Sequence, residues 1–343
     1  MNNHIIDLYY VTAKAFMASN NYKDAKHYLK KSIEKYDNPI SHEEIGIIFF
    51  RENKIKEALE HFFIAAKGNQ IRAISNIGNY FEQKDQLEEA KKYYHQAALL
   101  GYSYGYYSLA RLAMHSSSES KNNIPTVIEY LKKGAELEEK GNYENFRCSE
   151  VYALKLEEYG LADPSTLPDI YRKLEQHGSV LASYKIAYHT LYGQLGFEKN
   201  EDEALKRLIY LAIAKKHKDS CDLLRRIYNS DEFNMRDIDE AGTFLLTGVN
   251  ALEVNCLLEA AEITLEGKGK LYKFPPDEKE FVSHCLYHAR KIISISKRKN
   301  NNIAKERFNK ILEKYPQLKD ELDVFSDNEK KSTKIPAYQT VMN

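Results

Sequence analysis

The stretch from Glu44 to Gly101 contains one pattern written twice. The first copy runs Ile45-Gly46-x-x-Phe49, then Ala58-x-x-x-Phe62-x-x-Ala65-Ala66-x-Gly68. The second runs Ile77-Gly78-x-x-Phe81, then Ala90-x-x-x-Tyr94-x-x-Ala97-Ala98-x-x-Gly101. Gly46 and Gly78, Ala58 and Ala90, Phe62 and Tyr94, and Ala65 and Ala97 are each 32 positions apart. A period of this length marks a stack of helical hairpins, each burying its apolar face on the next. Gly46, Ala58 and Ala65 are predicted to lie where two antiparallel helices approach closely, with Phe49 and Phe62 filling the space beside them. Asn53-Lys54 and Lys84-Asp85 make the polar turns, and Gly68 and Gly101 fall where a helix ends in a left-handed residue.

Working outward, Ala13, Phe16, Ala25 and Leu29 precede Gly46, Phe49, Ala58 and Phe62 by 33 positions each, so the array starts near Ile5. A fourth unit carries Tyr107, Ala110 and Ala113, an enlarged turn from Ser116 to Pro125, and then Val127, Leu131 and Gly134. The pattern lapses between residues 136 and 178. There, Cys148–Tyr159 is predicted as a first helix and Asp169–Gln176 as its short partner, with Pro164 and Pro168 breaking the chain between them. A clearer unit follows with Ala182, Ala187, Tyr192-Gly193-Gln194-Leu195-Gly196 and Ala204, whose 17-residue spacing from Ala187 implies a second enlarged loop. Two weaker units and a terminal capping helix, Ala304–Leu322 with its stripe of Phe308, Ile311, Leu312 and Tyr315, complete the array. The expectation is one solenoid of about eight hairpins over residues 1–322, with a disordered polar tail over 323–343.

The pattern resembles two related families, tetratricopeptide repeats and Sel1-like repeats. Both place Gly or Ala and then an aromatic on the first helix, and an Ala, a large residue and a second Ala on the next. Ala65-Ala66-Lys67-Gly68 is the more Sel1-like feature, whereas the 32-residue period is near the tetratricopeptide length. The resemblance implies an all-α fold, an α-solenoid in which antiparallel helix pairs wind into a right-handed superhelix. It also implies a concave surface lined by the first helices, and says little about function.

Composition narrows the possibilities. Lys and Arg number 50 and Asp and Glu number 50, so no net field draws in nucleic acid or an anionic membrane. No run reaches the ~18 apolar residues of a membrane span, and Met1-Asn2-Asn3-His4-Ile5-Ile6 lacks the form of a secretory signal. Cys148, Cys221, Cys256 and Cys285 are scattered, unlike the helix-linking pairs of secreted Sel1-like proteins. A reducing cytoplasm is the expected location.

Candidate chemistry is sparse. Gly267-Lys268-Gly269-Lys270 lacks the strand, glycine spacing and Lys-Ser/Thr pair of a phosphate loop, and reads as an inter-helix turn. His284-Cys285-x-x-His288, with Glu280 a turn earlier, could put two ligands on one helix face, but offers no distant third ligand and lacks the protease glutamate. A helix packed by Cys285 and Leu286 with exposed histidines is the plainer reading. The basic runs Lys215-Lys216-His217-Lys218 and Lys297-Arg298-Lys299 sit at predicted helix ends, where the helix dipole and water favour cations. No catalytic constellation, cofactor or metal site follows from these motifs.

The expected function is therefore non-catalytic protein–protein interaction: an adaptor or scaffold that holds a peptide or partner protein in its groove. The alternatives are an immunity-type inhibitor that clamps one toxin or enzyme and, further off, an enzyme or metal protein. By the family resemblance, the groove would take Tyr10 and Lys14 from the first unit, Ile47 and Arg51 from the second, and Arg72 and Asn79 from the third. Tyr104, Tyr107 and Arg111 would come from the fourth, and Tyr184 and Tyr188 from the sixth. Tyr and Arg are residue types that dominate binding hot spots. Tyr104, Tyr107 and Arg111, at i, i+3 and i+7, share a helix face and make the densest such cluster.

Overall fold

The computed structural model of the chain describes residues 7–115, 123–141, 146–230, 237–295 and 300–322. Residues 116–122 of the expected enlarged turn, the run Lys297-Arg298-Lys299 and the tail after Leu322 lie outside the described residues. Those described residues are all-α, without a strand. They fall into two compact units, Met1–Ala162 and Asp163–Asn343, divided within the stretch where the repeat pattern lapses.

The first unit is a solenoid of four hairpins. Its helices are α1 (Leu8–Ala18), α2 (Tyr22–Tyr36), α3 (Pro39–Arg51), α4 (Ile55–Lys67), α5 (Ile71–Gln83), α6 (Leu87–Leu99), α7 (Ser103–His115), α8 (Ile124–Lys140) and α9 (Arg147–Glu158). Each packs on its neighbour in sequence, and the core is a series of small clusters rather than one mass. The repeated Gly and aromatic positions make the closest approaches. A Cβ on Gly46 would lie 2.7 Å from the Phe62 ring, and one on Gly78 would lie 2.7 Å from the Tyr94 ring. The turns also repeat: Asn20, Asn53 and Asp85 each hold φ near +60°, the left-handed geometry that Asn and Asp tolerate best among residues with a side chain.

Two local expectations are corrected here. Gly101 is left-handed at φ +89°, but Gly68 is not; Asn69, at φ +55°, takes that role. Gly68 is instead needed for space, because a Cβ there would lie 2.6 Å from the ring of Pro39, which opens α3. The second concerns α9, which packs on α7 and α8 and closes the first unit. Its expected partner, α10 (Leu167–Gln176), turns its Leu167, Tyr171 and Leu174 stripe inward and packs on α11 (Val180–Tyr192) in the second unit.

That unit pairs α11 with α12 (Glu201–Lys215), α13 (Lys218–Asn229) with α14 (Ile238–Asn250), and α15 (Val254–Leu265) with α16 (Glu278–Ile295). A 3₁₀ turn at Gly269–Tyr272 packs on α14 and α15. Helix α17 (Asn300–Lys314) lies on α15 and α16. It stops at Lys314 rather than running to Leu322 because Pro316 disfavours helical geometry at the residue before it. One continuous apolar core runs from α11 to Leu322. All four cysteines are free and buried. Cys148 and Cys256 pack as small residues against glycine, each with its Sγ 2.3 Å from where a Cβ of Gly134 or Gly248 would stand. Among the described residues no helix is long and apolar enough to cross a membrane.

Candidate functional site: a cleft lined by three first helices

Helices α3, α5 and α7 stand side by side as the first helices of successive hairpins, and between them lies a cleft of about 330 Å³. Its lining includes Ile47, Phe50 and Arg51 of α3, Arg72, Ser75, Asn76 and Asn79 of α5, and Tyr104 of α7; Phe62 of α4 and Tyr102 complete it. Of the expected groove residues the structure gathers Ile47, Arg51, Arg72, Asn79 and Tyr104 here. Phe50, Ser75, Asn76 and Tyr102 join them without having been singled out from sequence.

The cleft has two chemical halves with one origin. Adding the 32-residue period to Ile47, Phe50 and Phe62 gives Asn79, Glu82 and Tyr94. The first copy thus places three apolar side chains where the second places three polar ones. Phe50 leaves 41% of its surface exposed. At the second copy, the Tyr94 hydroxyl lies 2.7 Å from both Asn79 Oδ1 and Glu82 Oε2. Burial, followed by the Glu82 carboxylate, raises the Tyr94 pKa and keeps the phenol protonated. Arg111 donates to both Glu82 oxygens, the Nη2 bond to Oε2 being 2.5 Å. Arg111 therefore holds the network together from α7 and does not line the cleft.

A chain of charges runs along one edge. Lys14 Nζ donates to Glu44 Oε1 at 2.8 Å, and the Arg72 guanidinium lies 3.4 Å from Glu43 and 3.6 Å from Glu44. Both carboxylates are buried in the second turn of α3. Glu43 Oε2 also accepts from the Ala73 backbone N–H at 3.2 Å, supplying the N-terminal cap that Gln70 does not. Burial raises the Glu43 pKa, and Arg72 opposes the rise. Tyr10 packs on the core of the first hairpins, its pKa raised by burial and then by Glu44. Arg51 stacks over the Tyr22 ring, 5.2 Å from its centroid, and donates to its hydroxyl.

The remaining expected residues lie elsewhere. Tyr107 joins the core beside Ala110, Val127 and Leu131, with the Arg147 guanidinium 5.1 Å over its ring. Tyr104 and Tyr107 remain neighbours, their centroids 5.6 Å apart. In the second unit Tyr184, Tyr188 and Tyr192 form a half-buried ladder, and Tyr184 sits 4.9 Å from His217. Burial raises the Tyr184 pKa. That unit has a cleft of about 510 Å³ lined by Arg172, Glu175, Thr190, Lys199, Glu203 and Arg207. Within it Arg207 is paired, lying 2.6 Å from Glu175 and 3.2 Å from Glu203.

The metal candidates resolve differently. His284 and His288 are buried, not exposed, at 2% and 5%, with ring centroids 4.5 Å apart. Asp222, Glu253 and Cys256 bring ligand atoms within 4.8 Å of one another. Their oxygens are already engaged: Glu253 caps α15 through Cys256 N at 2.6 Å, and Asp222 pairs with Arg225 at 2.6 Å. A buried guanidinium beside the cluster disfavours a cation there.

No protein-family model matches the chain, and no curated protein matches it. Among solved structures it is similar to a Sel1 repeat protein from Oxalobacter formigenes, at 17% identity and a TM-score of 0.55, over 69% of this chain and 97% of that one. It is also similar to a protective antigen of uropathogenic Escherichia coli with an SLR fold, at 16% identity and a TM-score of 0.37, over 98% of this chain and 88% of the antigen. The first likeness establishes the Sel1-like repeat fold.

Proposed function

We propose that the chain is a non-catalytic interaction module whose α3–α5–α7 cleft holds an extended segment of a partner protein. The observation that carries this reading is the cleft itself, where exposed apolar surface at Phe50 adjoins polar groups from α5. Ser75 Oγ, in a residue only 3% exposed, has no hydrogen-bond partner within the chain. A buried polar atom left unpaired is costly, and a ligand that supplies the missing partner recovers that cost. Four buried thiols without a disulfide fit a reducing compartment, where the module would act inside the cell.

The test places a photo-crosslinking benzoylphenylalanine at Phe50, and separately at the exposed His95 of α6 as a control, in cells that make the protein. The reading expects one defined protein adduct from Phe50, lost when Arg72→Glu is added, and no such adduct from His95. Adducts at His95 alone, or adducts at Phe50 indifferent to Arg72, would reject it. The purified complex then separates two roles. Nanomolar one-to-one binding marks an inhibitor of the immunity type, and micromolar binding of several segments marks an adaptor.

A further inference from the structure

The two halves of the cleft specify more than the existence of a ligand. We infer that the cleft selects a segment in which an apolar side chain is followed directly by an acidic one. This rests on the reading of the cleft as the binding face and adds the chemistry of its occupant.

The apolar requirement comes from the first copy of the repeat. Ile47 and Phe62 line the cleft beside Phe50, which stays 41% exposed, and Arg51 follows it at the end of α3. A leucine-sized side chain laid there covers the Phe50 ring and releases its water.

The acidic requirement comes from charge. Arg51 and Arg72 both line the cleft, and none of its lining residues carries a carboxylate. The Arg72 side chain is 52% exposed and stands 3.4 Å and 3.6 Å from Glu43 and Glu44, beyond the 2.7–2.9 Å of a well-formed charged hydrogen bond. Both carboxylates have closer commitments, Glu44 to Lys14 at 2.8 Å and Glu43 to the Ala73 N–H. Arg72 therefore retains donors for an incoming carboxylate. Ser75, whose hydroxyl is buried without a partner, and Asn76 line the cleft on the same helix, one turn on from Arg72. The apolar floor and the donors are contributed by adjacent helices, so two consecutive residues of an extended segment, whose side chains point apart, reach both.

The contrast between the repeats argues against a general feature of the fold. The corresponding position of the first copy has Ile47 and Phe50, and the second has Asn79 and Glu82, on the same backbone frame. Stacking one copy of each kind gives a cleft that is apolar on one side only.

The experiment is a nuclear magnetic resonance titration of the full chain with three blocked dipeptides: acetyl-Leu-Asp-methylamide, acetyl-Leu-Asn-methylamide and acetyl-Gly-Asp-methylamide. The Ile47 methyls, the Asn76 side-chain amide and the Arg72 Nε–H report the two halves. The leucine–aspartate probe is expected to give saturable shifts at all three. Removing the leucyl side chain should weaken binding about tenfold, and replacing aspartate by asparagine about fivefold. Phe50→Ala should remove the preference for leucine and Arg72→Ala the preference for aspartate. Arg72→Lys, which keeps the charge without the guanidinium fork, should fall between. Arg72 and Phe50 are exposed enough that both variants are expected to fold, and their melting curves check this. If Leu-Asp and Leu-Asn bind the cleft equally, the acidic selectivity is wrong while the cleft remains the binding face. Equal binding of Leu-Asp and Gly-Asp refutes the apolar half in the same way. No saturable shift at the cleft up to about 50 mM probe overturns the inference outright. The crosslinking at Phe50 then decides independently whether the cleft reading falls with it.

Discussion

The Tyr94 hydroxyl stands 2.7 Å from Asn79 Oδ1, at the repeat position where Phe62 has no hydroxyl and faces Ile47 instead. One oxygen atom thus separates two otherwise equivalent hairpins, and the exchange of neighbours around it is concerted. Tyr94→Phe would remove the one proton that the hydroxyl donates toward Asn79 and Glu82, with Glu82 still held by Arg111. A loss of about 1–2 kcal/mol is expected. Phe62→Tyr, which forces a hydroxyl against Ile47 without an acceptor, should cost about 1–3 kcal/mol. Urea unfolding of both variants measures this, and unchanged midpoints would show that the network carries no stability.

Gly78 and Gly46 should tolerate no side chain. A Cβ at either would come within 2.7 Å of a ring that is itself buried, so Gly46→Ala and Gly78→Ala are expected to cost about 1–3 kcal/mol each. Shrinking the ring relieves the clash, so Gly46→Ala with Phe62→Leu should cost less than the two single changes added together. Strict additivity in thermal melts would contradict the close approach.

Glu138, 1% exposed at the end of α8, caps α9 from outside. It accepts from the Cys148 N–H at 2.8 Å, the Ser149 N–H at 2.9 Å and the Ser149 hydroxyl at 2.7 Å. Glu138→Ala orphans two buried backbone donors at about 1–3 kcal/mol apiece, and Glu138→Gln should recover part of the loss. Hydrogen exchange localises the effect, because α9 amides should lose protection before those of α5. Uniform loss across the first unit would argue against a local cap.

Acid should weaken the fold through two histidines. His61 faces His42, with Nδ1 atoms 2.9 Å apart, stacks on Phe49, and has Lys30 as a nearby charge; Asp37 faces the far side of His42. Burial, then His42, depresses the His61 pKa from 6.5 to about 4. Burial, then His288, does the same to His284. The unfolded chain binds more protons between these values, so stability is fully present above pH 6.5 and is lost as pH falls toward 4. The loss is on the order of 2–3 kcal/mol per ring. His61→Gln should flatten that part of the stability curve. A variant curve parallel to the wild type would remove His61 from the account.

The hairpin was legible in the sequence because its contacts are short in range and recur. Gly46 meets Phe62, Gly78 meets Tyr94, and the turn residues Asn53 and Asp85 recur with the period, all within one unit of 32 residues. A repeated constraint leaves a repeated letter, and that determined an all-α solenoid. What does not recur, or depends on the next unit, left no such mark. Gly68 looks like a helix-end glycine, yet it is required by Pro39 at the other end of its own hairpin, a contact with no counterpart at Gly101. Glu43 and Glu138 read as ordinary helix-forming carboxylates until a following helix presents its free N–H groups to them. His284 and His288 read as exposed on α16 taken alone, and are buried because α15 and α17 pack on that helix. The cleft combines both kinds of information. Arg72, Asn79 and Tyr104 follow from their register on first helices. Which side of the cleft is apolar, and that Arg111 is spent on Glu82 rather than offered to a ligand, was decided only by tertiary packing, because a charge is committed by whatever lies within hydrogen-bond reach of it.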